Sequence, residues 1–233
     1  RIHTVAICEE IIKRKIKINW GLPNGVRIDK LDPELLKLMK KSGCYQMSLG
    51  IESANQRILD LIKKNLNKDL VRKTVDDIKN AGIESVGFFM IGFPTETKEE
   101  IQETIDFACS LNLDRANFTK ATPLPGTALY DLWLKDYAID KKIDWKHFNY
   151  YQFYANWSDV TPKEIAKMQS FGFFKFYLTK FRFIKVIISL KPKQIVLFIK
   201  RVIKILLPTK IYDFLFINKE NNFKFFNPKS RIN

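Results

Sequence analysis

A chain of 233 residues with 46% hydrophobic and 13% aromatic side chains holds enough apolar material for one large domain, or a domain with an appendage, and is not a disordered segment. Its net charge of +15 is unevenly placed: residues 1–150 hold 24 Lys and Arg against 21 Asp and Glu, whereas residues 151–233 hold 16 against 4. Three widely separated cysteines, Cys8, Cys44 and Cys109, and two isolated histidines suggest neither a disulfide scaffold nor a zinc site.

No uninterrupted apolar run reaches the roughly 18 residues of a spanning helix, and the charged start has no apolar core of a signal peptide. The expected location is therefore the cytoplasm. Arg1 in place of a methionine predicts a piece of something longer.

Residues 4–15 read as a helix with basic residues in its last turn. Residues 18–28 read as a strand with an irregular middle at Leu22–Gly25. Asp32 as N-cap and Pro33 at the first helical position start a helix that ends near Ser42 and Gly43. Residues 44–51 form the second strand, followed by helical stretches at 55–64 and 67–80, the latter opened by Asn67. Residues 83–93 form the third strand. Thr97 with Glu100 makes a capping box for a helix to about Leu111. Residues 113–121 form the fourth strand, and "TPLPGT" leads into a short helix, "ALYDLWLKDY".

From Trp145 the character changes. "HFNYYQFYANW" is an aromatic linker. Thr161, Pro162 and Glu164 start a helix that runs on into "FGFFKFYLTKFRF", and Pro192 opens another, to about Leu207. The expected divisions are 1–138, 139–160 and 161–233. On the last helix Lys193, Lys200, Arg201 and Lys204 cluster opposite a broad apolar arc. An anionic membrane surface and packing on the preceding domain both fit that pattern. No motif of a nucleic-acid reader appears.

Strands alternating with helices of this length predict parallel pairing. A β/α barrel and an open doubly wound sheet both fit. The absence of a glycine-rich phosphate turn favours the barrel, and four strands make it a partial one with a helical basic extension.

Ligands of such folds bind at the carboxyl ends of strands. Those ends carry Arg27, Gly50 with Glu52 and Ser53, Gly92 with Phe93, and Thr122. A carboxylate after a glycine accepts hydrogen bonds from a ribose diol or an amine. It also favours the start of the next helix, and the residues alone favour that second reading. Gly92 permits close approach of a ligand, and with Pro94 and Thr97 it equally makes an ordinary strand-to-helix joint. Arg27 would hold a carboxylate or pair with Asp29.

Taken in order, "GVRIDKLDPELLKLMKKSGCYQMSLGIESANQRILDLIKKN", "AGIESVGFFMIGFPTETKEEIQETIDFA" and "TPLPGTALY" resemble the second half of a radical S-adenosylmethionine (SAM) domain, over roughly residues 1–135. The resemblance is greatest to members that carry an upstream cobalamin-binding domain. It implies a partial (β/α)6 barrel that binds SAM beside a [4Fe-4S] cluster, with cobalamin through an upstream domain, and methyl transfer or rearrangement as the reaction. By the same resemblance Glu52 contacts the ribose or methionyl end of SAM. Lys64, with Lys63 as its rival, holds the SAM carboxylate. Met90, Ile91, Gly92 and Phe93 flank the adenine, Arg27 lies near the cluster, and Ala121 and Thr122 border the pocket.

Three departures stand out. No three-cysteine cluster loop is present, Thr95 stands where many relatives have glycine, and Phe88 stands where some have a ribose-binding acid. The expectation is a C-terminal fragment whose cluster ligands lie upstream, acting on a small-molecule or lipid-like substrate. The alternative is a degenerate half-barrel serving as a binding or membrane-associated module.

Overall fold

The computed structural model describes residues 1–137 and 157–189. The helix expected at 192–207 and most of the aromatic linker lie outside the described residues. The chain divides into two compact units, Arg1–Arg182 and Phe183–Asn233.

In the first unit four strands, β1 (Trp20–Val26), β2 (Cys44–Glu52), β3 (Glu84–Ile91) and β4 (Arg115–Lys120), form one sheet in sequence order, every neighbouring pair parallel. The helices are α1 (Ile2–Lys13), α2 (Pro33–Lys41), α3 (Gln56–Leu61), α4 (Lys68–Asn80), α5 (Lys98–Ser110), α6 (Ala128–Tyr137) and α7 (Pro162–Leu178). Strand order 1-2-3-4 with a helical crossover at each step is singly wound. It is an arc of a β/α barrel, as expected, and a doubly wound sheet would reverse its order midway.

Local chemistry sets most of the boundaries. Asp32 accepts from Leu35 N at 2.9 Å, Asn67 accepts from Asp69 N and Leu70 N at 2.8 and 3.1 Å, and Thr97 and Thr161 each form a reciprocal capping box with a glutamate three residues on. Gly43 joins α2 to β2 at φ +101°, and a Cβ there would overlap the Ile18 carbonyl oxygen.

Period-two alternation buries one sheet face under the helices: Met47, Leu49, Ile51, Phe89, Ile91, Ala116 and Phe118 belong to the main core. The rings of Phe89 and Phe118 stack at 5.4 Å. On the other face Phe88, Met90 and Thr119 are half-buried and Asn117 is exposed. Parallel sheets are normally covered on both sides, so this face is the unusual one.

The helix opened by Thr161 differs from expectation. It ends at Leu178 rather than running on through Phe183, because Lys180 and Phe181 take φ of +56° and +52°. A short helix, α8 (Arg182–Ser189), follows. The break points the Arg182 guanidinium inward. Only 6% exposed, it donates to the carbonyls of Cys109, Leu111 and Leu113 at and just after the end of α5 and of Phe176 and Thr179 at the end of α7, and lies 4.0 Å over the Phe176 ring. Burial pushes its pKa down, and the negative ends of the two helices offset that cost.

Gly43→Ala should cost more than about 2 kcal/mol, because backbone must move as well as φ. Gly126→Ala, at φ +83° with nothing within 4 Å, should cost only the strain of about 1 kcal/mol. Urea unfolding of both variants checks the ranking.

Candidate functional site

The tip of β2 folds back on itself. Its register slips by one residue between Gly50 and Glu52, and Glu52 sits at φ +67°, a left-handed conformation rare outside glycine. Across from it the turn that closes α3 passes through Lys63, itself at φ +54°, with Lys64 N bonded to Leu59 O at 2.8 Å. The two turns bring Lys64 Nζ to 3.0 Å from Glu52 Oε1. Both side chains are partly exposed, 32% and 21%. Lys63 is exposed, so the structure turns Lys64, not its rival, toward Glu52.

Gly50 makes room for this pair. A Cβ there would stand 3.0 Å from Glu52 Oε1 and 3.1 Å from Lys64 Nζ. The ion pair therefore lies on the sheet face opposite the one packed under α4 and α5. Gly25, at φ +71°, and the Phe88 ring border the same spot: a Cβ on Gly25 would lie 3.7 Å from Gly50 N and 4.0 Å from that ring. A carboxylate, an ammonium, bare backbone and an aromatic edge thus share one place at the tips of β1, β2 and β3. Such a set can hold a diol and a carboxylate beside a flat apolar ring.

The tip of β3 is built differently. Gly92 N and Phe93 N both donate to Glu96 Oε2, at 2.5 and 2.9 Å, and Gly92 O accepts from Trp157 Nε1 at 2.7 Å. Ile91 O accepts from Ala121 N at 2.9 Å. The amides of Gly92 and Phe93 are thus already donated within the protein. Thr95 sits at φ +58°, where glycine would be unstrained, and Arg57 grips its hydroxyl at 2.9 Å and its carbonyl at 2.8 Å. Arg57 is anchored in turn by a bidentate pair with Glu100. Ile91 is wholly buried in the main core, whereas Met90 is half-buried with Phe93 and Ala121 in a second cluster.

The other expected residues lie apart from the ion pair. Arg27 is exposed and pairs with Asp29 at 2.8 and 3.0 Å, which holds the Asp29 carboxyl down at about 2. Ser53 is fully buried and bonds Thr104 of α5 at 3.1 Å. Thr122 donates to Lys120 O at 3.2 Å. A separate cleft of about 890 Å³ opens in the helix layer between α4 and α5, where Lys68 and Glu103 pair at 3.0 Å. It lies on the opposite side of the sheet from Glu52 and Lys64 and carries mixed, internally matched charge. Among the described residues no three metal-ligating side chains come together. Burial pushes the Cys44 thiol up to about 11 and raises Cys109 as well.

The sequence profile of the Radical SAM superfamily matches residues 1–108, the stretch from α1 through most of α5. Residues 1–108 belong to the radical SAM superfamily. An uncharacterized methyltransferase of Pyrococcus horikoshii is 33% identical over 187 residues, covering 76% of this chain and 38% of the relative. An anaerobic magnesium-protoporphyrin IX monomethyl ester cyclase of Rubrivivax gelatinosus is 32% identical, covering 68% of this chain and 26% of the relative. The chain thus spans well under half the length of these curated relatives. Among solved structures, the radical SAM methyltransferase TsrM of Kitasatospora setae, with cobalamin and a [4Fe-4S] cluster bound, aligns over 51% of this chain and 25% of its own, at 18% identity and a TM-score of 0.45.

Three residues at the β3 tip, two of them within this radical SAM segment, escaped the reading from sequence. Glu96 hides between two threonines of a helix start, yet it is 0% exposed. Burial raises its pKa to about 7 despite the two amide bonds, and its Oε1 has no hydrogen-bond partner among the described residues. A glutamate four residues after a strand-end glycine was the available signal. Arg57 and Trp157 gave none, because their partners are 38 or more residues away in sequence.

A carboxyl raised in the folded state stabilises fully below its unfolded pKa, near 4.5, and that stability is lost as pH rises through about 7. Glu96→Gln cannot ionise. Between pH 5 and 8 the melting temperature of the wild type should therefore fall by roughly 5 °C relative to Glu96→Gln. Differential scanning calorimetry across that range measures it.

Proposed function

We propose that this chain forms part of the SAM-binding half of a radical SAM enzyme, with methyl transfer or a related rearrangement as the reaction of the whole protein. One observation carries the reading: Lys64 and Glu52 meet at 3.0 Å against the bare backbone of Gly50, at the carboxyl end of the parallel strands. Lys64 supplies a cation for the carboxylate of the methionyl end. Glu52 supplies an acceptor for the ribose diol or the methionyl amine. Phe88 and the half-buried Met90 give a flat apolar border for the adenine.

In the superfamily the bound SAM and cluster supply a carbon radical, and the protein orients them and excludes water. An iron–sulfur cluster does not fit the described residues of this chain. Its three cysteines are buried, two have raised pKa values, and cluster ligands must be thiolates. The reading assigns those ligands to another part of the protein. Relatives described as methyltransferases support the reaction class, as does a cytidylyl-2-hydroxyethylphosphonate methyltransferase of Streptomyces wedmorensis at 32% identity. TsrM and the enzyme OxsB, each described with bound cobalamin, are the grounds for proposing cobalamin as a further cofactor of the whole protein.

Two unreactive ligands test the site by isothermal titration. S-adenosylhomocysteine carries the amino-acid tail, and 5′-methylthioadenosine lacks it. Lys64→Met should weaken S-adenosylhomocysteine by about 10-fold or more and leave methylthioadenosine unchanged, as expected for a lost charge-assisted bond. Equal losses on both ligands, or no binding by the wild type, would remove the proposal.

A further inference from the structure

We infer that Trp157 is a positioning residue for the adenosyl end of the ligand: its indole N–H and its backbone fix the tip of β3 against which that end lies. The inference rests on the reading above and concerns a part of the chain beyond residues 1–108.

Three hydrogen bonds tie residues 157–159 to the Gly92–Glu96 turn. Trp157 Nε1 donates to Gly92 O at 2.7 Å, Thr95 N donates to Trp157 O at 2.8 Å, and Asp159 N donates to Glu96 O at 3.1 Å. They meet the turn where its backbone is most constrained, since Gly92 and Thr95 both have left-handed φ, +79° and +58°. Glu96 closes the turn from within and Arg57 from the α3 side. The three residues from 157 to 159 close it from a third side, so little of the turn is left to move.

The indole ring packs beside the pocket as well as bonding the backbone. It is 3% exposed and belongs to the cluster of Ile58, Phe93, Ala121 and Trp133, against which Met90 packs. Met90 and Phe93 are among the residues read as flanking the adenine, and Ala121 begins the β4 tip that borders it. Buried, the indole N–H needs an acceptor, and the one it takes is the carbonyl of Gly92 at the β3 tip. Trp157 therefore holds both the backbone and the apolar side chains of the adenosyl border from behind, without reaching the ligand itself.

Titration of the 233-residue chain with S-adenosylhomocysteine and with 5′-methylthioadenosine tests this. Trp157→Phe keeps an aromatic ring and removes the N–H. The expected result is a similar loss of about 5-fold on both ligands, the value of one hydrogen bond, with a melting temperature within about 3 °C of wild type. Lys64→Met, in contrast, loses S-adenosylhomocysteine alone, so the two ends of the ligand read separately. Unchanged affinities in Trp157→Phe, beside a wild type that shows the Lys64 pattern, overturn the positioning role and leave the site reading intact. A loss confined to S-adenosylhomocysteine overturns it too. A wild type that binds neither ligand removes both. If Trp157→Phe does not fold, the indole N–H resonances of the wild type decide. Methylthioadenosine must shift that of Trp157 and leave that of Trp20, which is bonded to Ser42 O at 3.1 Å. An unmoved Trp157 signal overturns the inference.

Discussion

Strands that pair in parallel all finish at the same rim, and each must leave it through a turn into a helix. That constraint governs this molecule. It gathers the ends of β1, β2, β3 and β4 side by side, and it obliges the chain to reverse there within a few residues. Left-handed φ values follow at Gly25, Glu52, Gly92 and Thr95. Two of these four are not glycine, so the rim holds strain. The groups that hold it are the ones the rim displays: the Lys64 ammonium beside Glu52, and the Arg57 guanidinium around Thr95.

The strand tips divide the work. The β2 tip presents side chains, because Gly50 clears the space and the slipped register turns Glu52 toward it. The β3 tip presents shape, because its amides are committed to Glu96 and its carbonyl at Gly92 to Trp157. Charged side chains and flat apolar surface thereby fall on neighbouring strands, about one strand spacing (roughly 5 Å) apart. An adenosyl amino acid has the same division along its length.

The helices and strands were legible in the sequence because their signals are local. Asp32, Asn67, Thr97 and Thr161 cap helices with atoms two or three residues away, and period-two apolar residues mark one face of each strand. The pairing of Glu52 with Lys64 was legible only through the family resemblance, since twelve residues and two unusual turns separate them. Glu96 was passed over beside the Thr97–Glu100 cap: its spacing from Gly92 was a local signal, and its burial depends on the unusual turn between them. Trp157 looked like one more aromatic in a linker. The break after Leu178 was missed because it uses lysine and phenylalanine where glycine or proline would have been read. In each miss the deciding partner is distant or the backbone violates a local preference.

Arg182 carries a consequence for how the protein is made. Its guanidinium stitches together the ends of α5 and α7, elements that begin more than sixty residues apart, and it is the last residue of the first unit. During synthesis the barrel arc emerges from the ribosome before this stitch does, with the carbonyls after α5 still bare. The nascent arc must therefore wait, its final helix unlatched, until translation has passed into the segment that follows.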